Sequence, residues 1–107
     1  MPNIGSSLTG GSVTIEGSTA ARTYALSMPT SGTEYSQALG SNVKQVIIKT
    51  RNGAGFKIAW NSGDIAAGNY LTVNSRASYE KTQMKFTGTV YLECTANGET
   101  AEIEVWT

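Results

Sequence analysis

The chain has 107 residues, equal numbers of acidic and basic side chains, no histidine and one cysteine. This length fits one domain, which can bury about 65% of its unfolded surface without a metal or a disulfide. Zero net charge argues against a partner held mainly by electrostatics, such as nucleic acid or an anionic membrane. The missing histidine excludes a Ser–His–Asp triad and histidine-ligated zinc, and the single cysteine excludes an internal disulfide.

The N-terminal segment is mostly small and polar. Residues 1–11, MPNIGSSLTGG, have little to bury and predict a flexible arm, with the folded domain over residues 12–107. The segment lacks the basic start and apolar centre of a secretory signal. No apolar run approaches the ~20 residues that span a bilayer. We therefore expect a protein that is made in a cytoplasm and acts without export.

The rest of the chain predicts short strands, because no window shows the apolar spacing of a helix. The expected strands are SVTIEG (12–17), ARTYALSM (21–28), VKQVIIKTR (43–51), FKIAWN (56–61), YLTVN (70–74), MKFTGTVYLECTA (84–96) and ETAEIEVW (99–106). The segment 29–42 is expected to be mostly loop, with a short strand around Tyr35, and the polar segment 75–83 a crossing with room for one helical turn. Gly88 is expected to bend or bulge its strand. About eight short strands indicate an all-β fold, a single antiparallel β-sandwich or jelly roll.

Apolar positions predict two hairpins. In the first, an odd-length loop after Arg51 pairs Ile48 with Ile58 and Val46 with Trp60. In the second, Asn97–Gly98 fits a type I′ turn. That turn pairs core-facing residues: Cys94 with Ala101, Leu92 with Ile103, and Val90 with Val105. Further expected core residues are Phe56, Phe86, Leu71 and Val73, and Cys94 is expected to be a small buried hydrophobe.

The second hairpin places Glu93, Glu102 and Glu104 on one outward face, with Glu99 beside the turn. Three interpretations compete: a solvated face with Lys or Arg on a neighbouring strand, a calcium site, and a glycosidase acid pair. The spacing matches no calcium loop, and adjacent strands hold the carboxylates too close and too wet for acid–base catalysis. We therefore favour the solvated face.

Tyr91 and Trp106 share that outward face in the expected hairpin. An outward Tyr and Trp beside carboxylates are suited to a sugar or to another protein surface. Packing under a loop or under the N-terminal arm is the alternative. Packing or a subunit contact is the favoured interpretation.

Charge is unevenly distributed along the chain. Between Lys44 and Lys85 there are seven basic and two acidic residues, and between Glu93 and Glu104 four acidic and no basic ones. Either the two groups lie on different strands and keep the surface soluble, or they form a head-to-tail contact between subunits. The first interpretation is favoured.

Three segments of the C-terminal half resemble a group of small virion structural proteins of tailed bacteriophages: YLTVNSRASY (70–79), FTGTVYLECTA (86–96) and AEIEVW (101–106). In that group a Tyr–Leu–Thr–Val strand leads, through a Ser/Tyr-containing crossing, to a Gly–Thr–Val–Tyr–Leu strand and an Ile–Glu–Val–Trp end. The resemblance covers residues 55–107 and consists of strand patterns, not a catalytic signature. The final turn, CTANGET (94–100), departs from the more apolar or Ser/Gln-rich turn of the group.

The resemblance implies a non-enzymatic protein present in many copies on a phage particle. Proteins of this kind include capsid decoration, or cement, proteins that clamp neighbouring shell subunits, and fibre or tail components. We therefore expect a homo-oligomer made in the bacterial host cytoplasm and assembled on the phage head. Its expected partners are the major capsid protein or neighbouring virion subunits, not nucleic acid or a membrane. No catalytic residue, metal or cofactor is expected.

The expected contact positions combine the arm, the basic strand and the outward aromatics. They are Asn3, Ile4, Leu8, Lys44, Lys49, Arg51, Tyr91 and Trp106. An arm of this kind can lie across a neighbouring subunit and order on binding. The alternatives are a carbohydrate-binding β-sandwich module and a tail, neck or fibre component.

Overall fold

The computed structural model describes residues 20–107, which form eight strands and no helix. The strands are β1 (Ala21–Met28), β2 (Glu34–Val43), β3 (Gln45–Thr50), β4 (Phe56–Ala59), β5 (Leu71–Val73), β6 (Tyr79–Lys81), β7 (Phe86–Cys94) and β8 (Glu99–Trp106). They build two four-stranded sheets, ordered β1-β8-β3-β6 and β2-β7-β4-β5, in which every pair is antiparallel. The predicted all-β, antiparallel two-sheet fold is confirmed.

The pairing is that of a jelly roll. Strand β1 pairs with β8, β2 with β7, β3 with β6 and β4 with β5, as if the chain were one long hairpin folded at its middle. Two further pairings, β3 with β8 and β4 with β7, roll this ribbon into two stacked sheets. The expected N-terminal arm, the strand 12–17 and the domain boundary at residue 12 lie outside the described residues.

The core lies between the sheets and is built by alternate residues of each strand. The apolar faces expected for β3, β7 and β8 are confirmed, because their alternate residues are buried: Val46, Ile48 and Thr50; Val90, Leu92 and Cys94; Ala101, Ile103 and Val105. Phe56 of β4 is also buried. At one side of the core the Trp60 ring packs edge-on against Phe86, with ring centroids 4.9 Å apart.

Both predicted hairpins are wrong. Strand β3 pairs with β8 and β4 with β7, so residues 51–55 cross from one sheet to the other. Strands β7 and β8 likewise belong to different sheets. The turn between them instead bonds to the loop after β1: Gly98 N–H donates to the Pro29 carbonyl, and Asn97 Oδ1 accepts from Ser31 N–H. The six apolar residues assigned to the second hairpin therefore belong to opposite sheets and are buried between them.

Three local expectations also need correction. The segment expected to be loop contains the ten-residue strand β2, and the polar crossing contains β6 instead of a helical turn. Polar residues dominate both because each is an edge strand with few buried positions. Leu71 is 55% exposed although Val73 is buried.

A bulge lies opposite Gly88, but it is on the partner strand β2 and not on the strand of Gly88, where it was expected. Ala38 pairs with Thr89 and Gly40 with Gly88, so Leu39 is an extra residue on β2 and enters the core. Gly88 has a φ of +151°, and a Cβ added there would lie 3.0 Å from Cζ of Phe86.

We expect Gly88→Ala to lower the free energy of unfolding by about 1–3 kcal/mol, because it combines an unfavourable φ with a clash against Phe86. Gly32→Ala is the matched control, since Gly32 also has a positive φ of +74° but a Cβ added there would meet no atom within 4 Å. Urea denaturation of both variants measures the difference. Equal losses would contradict the greater cost expected at Gly88, where the φ is less accessible to alanine and Phe86 lies close.

Among residues 20–107, no helix is long and apolar enough to cross a membrane.

Candidate functional site

The glutamates do not form the expected shared face. Glu93 lies on β7 and its Oε2 is 3.3 Å from Nζ of Lys57, whereas Glu102 lies on β8 in the other sheet. Glu102 contacts two cations at once: Oε1 is 3.2 Å from Nζ of Lys49, and Oε2 is 2.9 Å from Nε of Arg51. The hydrogen bonds from Arg51 and Lys49 lower the pKa of Glu102. Cations on neighbouring strands therefore accompany both carboxylates, as in the solvated-face interpretation.

The fold brings the acidic and basic segments side by side. Strand β3 lies next to β8 and β4 next to β7, so basic positions alternate with acidic ones across the ladders. Lys49 and Arg51 consequently share one carboxylate, Glu102, and Lys57 pairs with Glu93. Within residues 20–107, no group of three or more Cys, Asp or Glu side chains is arranged to hold a metal ion.

Glu99 has a role that its expected position beside a turn did not reveal. Its side chain is only 3% exposed. Oε1 accepts hydrogen bonds from Asn52 N–H at 3.0 Å, Asn52 Nδ2 at 3.1 Å and Thr100 N–H at 2.9 Å, and Oε2 accepts one from Ala54 N–H at 3.4 Å. Burial alone would raise the pKa of Glu99, but the hydrogen bonds from Thr100, Asn52 and Ala54 outweigh it and lower that pKa.

This carboxylate fixes the loop between β3 and β4. The same loop is closed by the Thr50 hydroxyl, which donates to the Ala54 carbonyl at 2.6 Å, and by Arg51 N–H, which donates to Thr100 O at 2.8 Å. The sequence does contain a signal for the burial of Glu99. This residue alternates in step with Ala101, Ile103 and Val105, which are the inward-facing residues of β8. Hydrogen bonds to the buried Glu99 carboxylate and within the loop therefore hold the backbone of residues 50–54 in place, and we call this segment the platform.

A basic cleft opens beside this platform. It has a volume of about 390 Å³ and is lined by two segments of chain, Lys49–Gly53 and Arg76–Ser78. The second segment is tied to the first because Arg76 N–H donates to the Gly53 carbonyl at 2.8 Å. Arg76 has a φ of +65°, an uncommon conformation for a residue other than glycine. The cleft thus combines Lys49, Arg51 and Arg76 on a braced backbone.

Positive charge is in excess in this basic cleft. Lys49, Arg51 and Arg76 bring three cations, and Glu102 is the one carboxylate paired with them among the described residues. Arg51 uses its Nε for Glu102, and its terminal amino groups make no hydrogen bond to a described residue. The side chains of Lys49 and Arg51 remain 57% and 53% exposed. Donors and charge are therefore available to a ligand from solvent.

The other expected contact residues are dispersed. Lys44 is half-buried between β2 and β3, where its N–H donates to Trp106 O at 2.7 Å. Tyr91 and Trp106 are half-buried on different sheets, so they do not form the shared aromatic face expected from the hairpin. Trp106 Nε1 donates to Glu104 Oε1 at 3.2 Å. Asn3, Ile4 and Leu8 lie outside the described residues. Of the eight expected positions, the cleft unites Lys49 and Arg51.

A second surface feature is apolar. Tyr70 and Leu71 are the large hydrophobic residues that residues 20–107 leave exposed, at 37% and 55%. They lie at the start of β5, an edge strand of its sheet. Nζ of Lys57 lies 4.6 Å from the centre of the Tyr70 ring, a cation–π contact that orients the ring. We call this pair the Tyr70–Leu71 patch.

No protein-family model and no curated protein sequence matches the chain. Among solved structures, the chain is similar to a de novo designed double-stranded β-helix determined by solution NMR. That similarity has 16% sequence identity and a TM-score of 0.46, and covers 83% of this chain and 100% of the designed one. A likeness at this level carries no statement about activity or partner.

Proposed function

We propose that this protein is a non-enzymatic structural component of a tailed-bacteriophage virion, and specifically a capsid decoration protein. In this role it binds the major capsid shell from outside and stabilises it mechanically, as a homo-oligomer in many copies. It is made in the host cytoplasm and acts on the particle. Neither nucleic acid, nor a membrane, nor a cofactor takes part.

The Tyr70–Leu71 patch carries this proposal. The motifs shared with the phage proteins fall on β5, β7 and β8. Core packing accounts for the apolar residues of two of them, since Val90, Leu92, Ile103 and Val105 are buried. It does not account for Tyr70 and Leu71, which begin the Tyr–Leu–Thr–Val motif and face solvent. An exposed Tyr and Leu on an edge strand are suited to burial against a partner surface, where aromatic anchors contribute most.

Binding to shells tests the proposal. Purified protein is sedimented with source-phage capsids that lack it, and the pelleted particles are imaged. We expect uniform, saturable labelling of the shell. Labelling at one vertex would indicate a tail or neck component instead. No labelling, together with quenching of tryptophan fluorescence by an oligosaccharide, would favour the carbohydrate-binding alternative.

Leu71→Asp should weaken shell binding at least tenfold, because a charge replaces the apolar contact and about 1.4 kcal/mol corresponds to each factor of ten in affinity. Ser27→Asp is the matched control: it adds the same charge at an exposed position of β1, an edge strand of the other sheet. Quantitative sedimentation over a concentration series gives both affinities. If the two variants bind alike, the Tyr70–Leu71 patch is not the contact.

A further inference from the structure

We infer that the basic cleft is a binding site for a carboxylate group on an acidic segment of a protein partner. The inference depends on the proposed function only for the identity of the partner, which is a neighbouring virion subunit. The chemistry follows from the cleft itself, which is defined by Lys49–Gly53 and Arg76–Ser78.

Glu102 shows how this site holds a carboxylate. One of its oxygens contacts Nζ of Lys49 and the other contacts Nε of Arg51, so a single planar group bridges the two cations. Arginine presents its N–H donors as a flat fork that fits a carboxylate or phosphate. Arg51 offers one edge of this fork to Glu102 and keeps its terminal amino groups, while Arg76 on the other wall has no ion pair with a described residue. A carboxylate that enters the cleft would therefore meet available N–H donors on both Arg51 and Arg76.

Neither Glu99 nor Glu80 occupies the position that we infer for the carboxylate of the partner. Glu99 lies beneath the loop with its oxygens taken by Asn52, Ala54 and Thr100. Glu80 is opposite Ile47 on β6, beyond the cleft lining. Lys49, Arg51 and Arg76 bring three positive charges, and Glu102 together with the Glu99 carboxylate beneath the loop brings two negative ones, so one positive charge is in excess.

The surroundings prepare the site for binding. The Glu99 hydrogen bonds and the Arg76–Gly53 backbone bond hold both walls, so little backbone ordering is left for the ligand to impose. The Asn52 side chain and Ser78 add neutral polar groups to the lining. A local site with one spare positive charge suits a single carboxylate. It does not suit a long polyanion, whose binding needs basic residues spread along a track.

The test is a titration of the full-length chain with a hexaglutamate peptide, followed by backbone amide and Arg Nε chemical shifts. We expect saturable chemical-shift changes confined to residues 49–53 and 76–78. Added salt should weaken the affinity for the peptide several-fold. Arg76→Gln should reduce the affinity at least fivefold. Lys81→Gln, which removes the same charge from exposed β6 outside the cleft, should leave the affinity unchanged. Shifts spread over all basic residues, or equal losses in both variants, would overturn the site.

Two further experiments are needed. One compares the carboxylate peptide with phosphate-bearing ligands, and the other tests this inference independently of the proposed function. Inorganic phosphate and a six-nucleotide single-stranded DNA are titrated at the same ionic strength, and tighter binding of either than of the peptide would overturn the carboxylate assignment. Arg76→Gln is also sedimented with shells, where at least a fivefold weaker binding is expected. Shell binding that is intact while peptide binding is lost would overturn the assignment of the cleft to that partner and leave the decoration role standing. Peptide binding without shell binding would support the site and overturn the decoration role.

Discussion

Glu99→Ala should lower the free energy of unfolding at pH 7 by about 2–4 kcal/mol, which makes it one of the two most damaging substitutions we expect. The reason is that it removes the acceptor of the part-buried N–H groups of Asn52, Ala54 and Thr100. Glu99→Gln should cost less, because one amide oxygen still accepts while the amide nitrogen opposes an N–H donor. Urea denaturation measures both. Glu104→Gln, at an exposed position of β8, is the control, with an expected change below about 0.5 kcal/mol.

The same residue predicts the acid response. The folded state lowers the pKa of Glu99, so the unfolded chain takes up the proton first as the pH falls. The stabilisation from Glu99 is therefore fully present above the ordinary glutamate pKa and is lost as the pH falls through the lowered folded pKa. Glu102 contributes in the same direction, since its pKa is lowered too. In urea midpoints from pH 7 to pH 3, we expect wild type to lose more stability than Glu99→Gln. Parallel curves would contradict this assignment.

Phe56→Ala should cost about 3–5 kcal/mol, the largest loss that we expect from the core. Phe56 is 1% exposed on β4, between Cys94 of β7 and Val73 of β5, and removing its ring leaves a cavity in the core cluster. Phe56→Leu is the milder companion should the alanine variant not fold. Leu71→Ala is the contrasting control, because that side chain is largely solvated, and its loss should stay below about 1 kcal/mol. Similar losses for Phe56→Ala and Leu71→Ala would contradict the burial described for β4 and β5.

The alternation of apolar residues was enough to predict which way the side chains of β3, β7 and β8 point. It was not enough to predict the neighbouring strand. In a two-sheet sandwich both sheets bury alternate residues, so Leu92 and Ile103 show the same pattern whether they are paired in one ladder or belong to opposite sheets. A short strand was expected around Tyr35, but the full length of β2 was not predicted, because its bulges interrupt the alternation around Leu39 and its position at an edge leaves polar residues exposed.

Only one wall of the cleft could be predicted from the sequence, because the other wall depends on contacts between distant segments. Lys49 lies on β3 and Arg51 directly follows that strand, two residues further along the chain, so their proximity follows from the sequence. Arg76 comes from a distant turn, and its place beside Gly53 depends on how the loops after β3 and β5 meet. The burial of Glu99 was not predicted, because a charged side chain at the end of a strand ordinarily faces water.

The position of β8 between β1 and β3 determines the order in which the fold can be completed during synthesis. Strands β2, β4, β5 and β7 can form their whole sheet once β7 has been made, because all four then exist. The sheet β1-β8-β3-β6 cannot be completed at that point, because it still lacks β8. Until β8 leaves the ribosome, β1 lacks its ladder partner and β3 has only the short β6 beside it.

A chain that lacks β8 can therefore complete one sheet while the inner faces of β1 and β3 stay uncovered. Unpaired strands with exposed apolar faces attract other chains. Insertion of β8 closes both edges in one step through its ladders to β1 and β3. A chain cut before Glu99 should therefore aggregate on expression instead of forming a smaller, soluble domain.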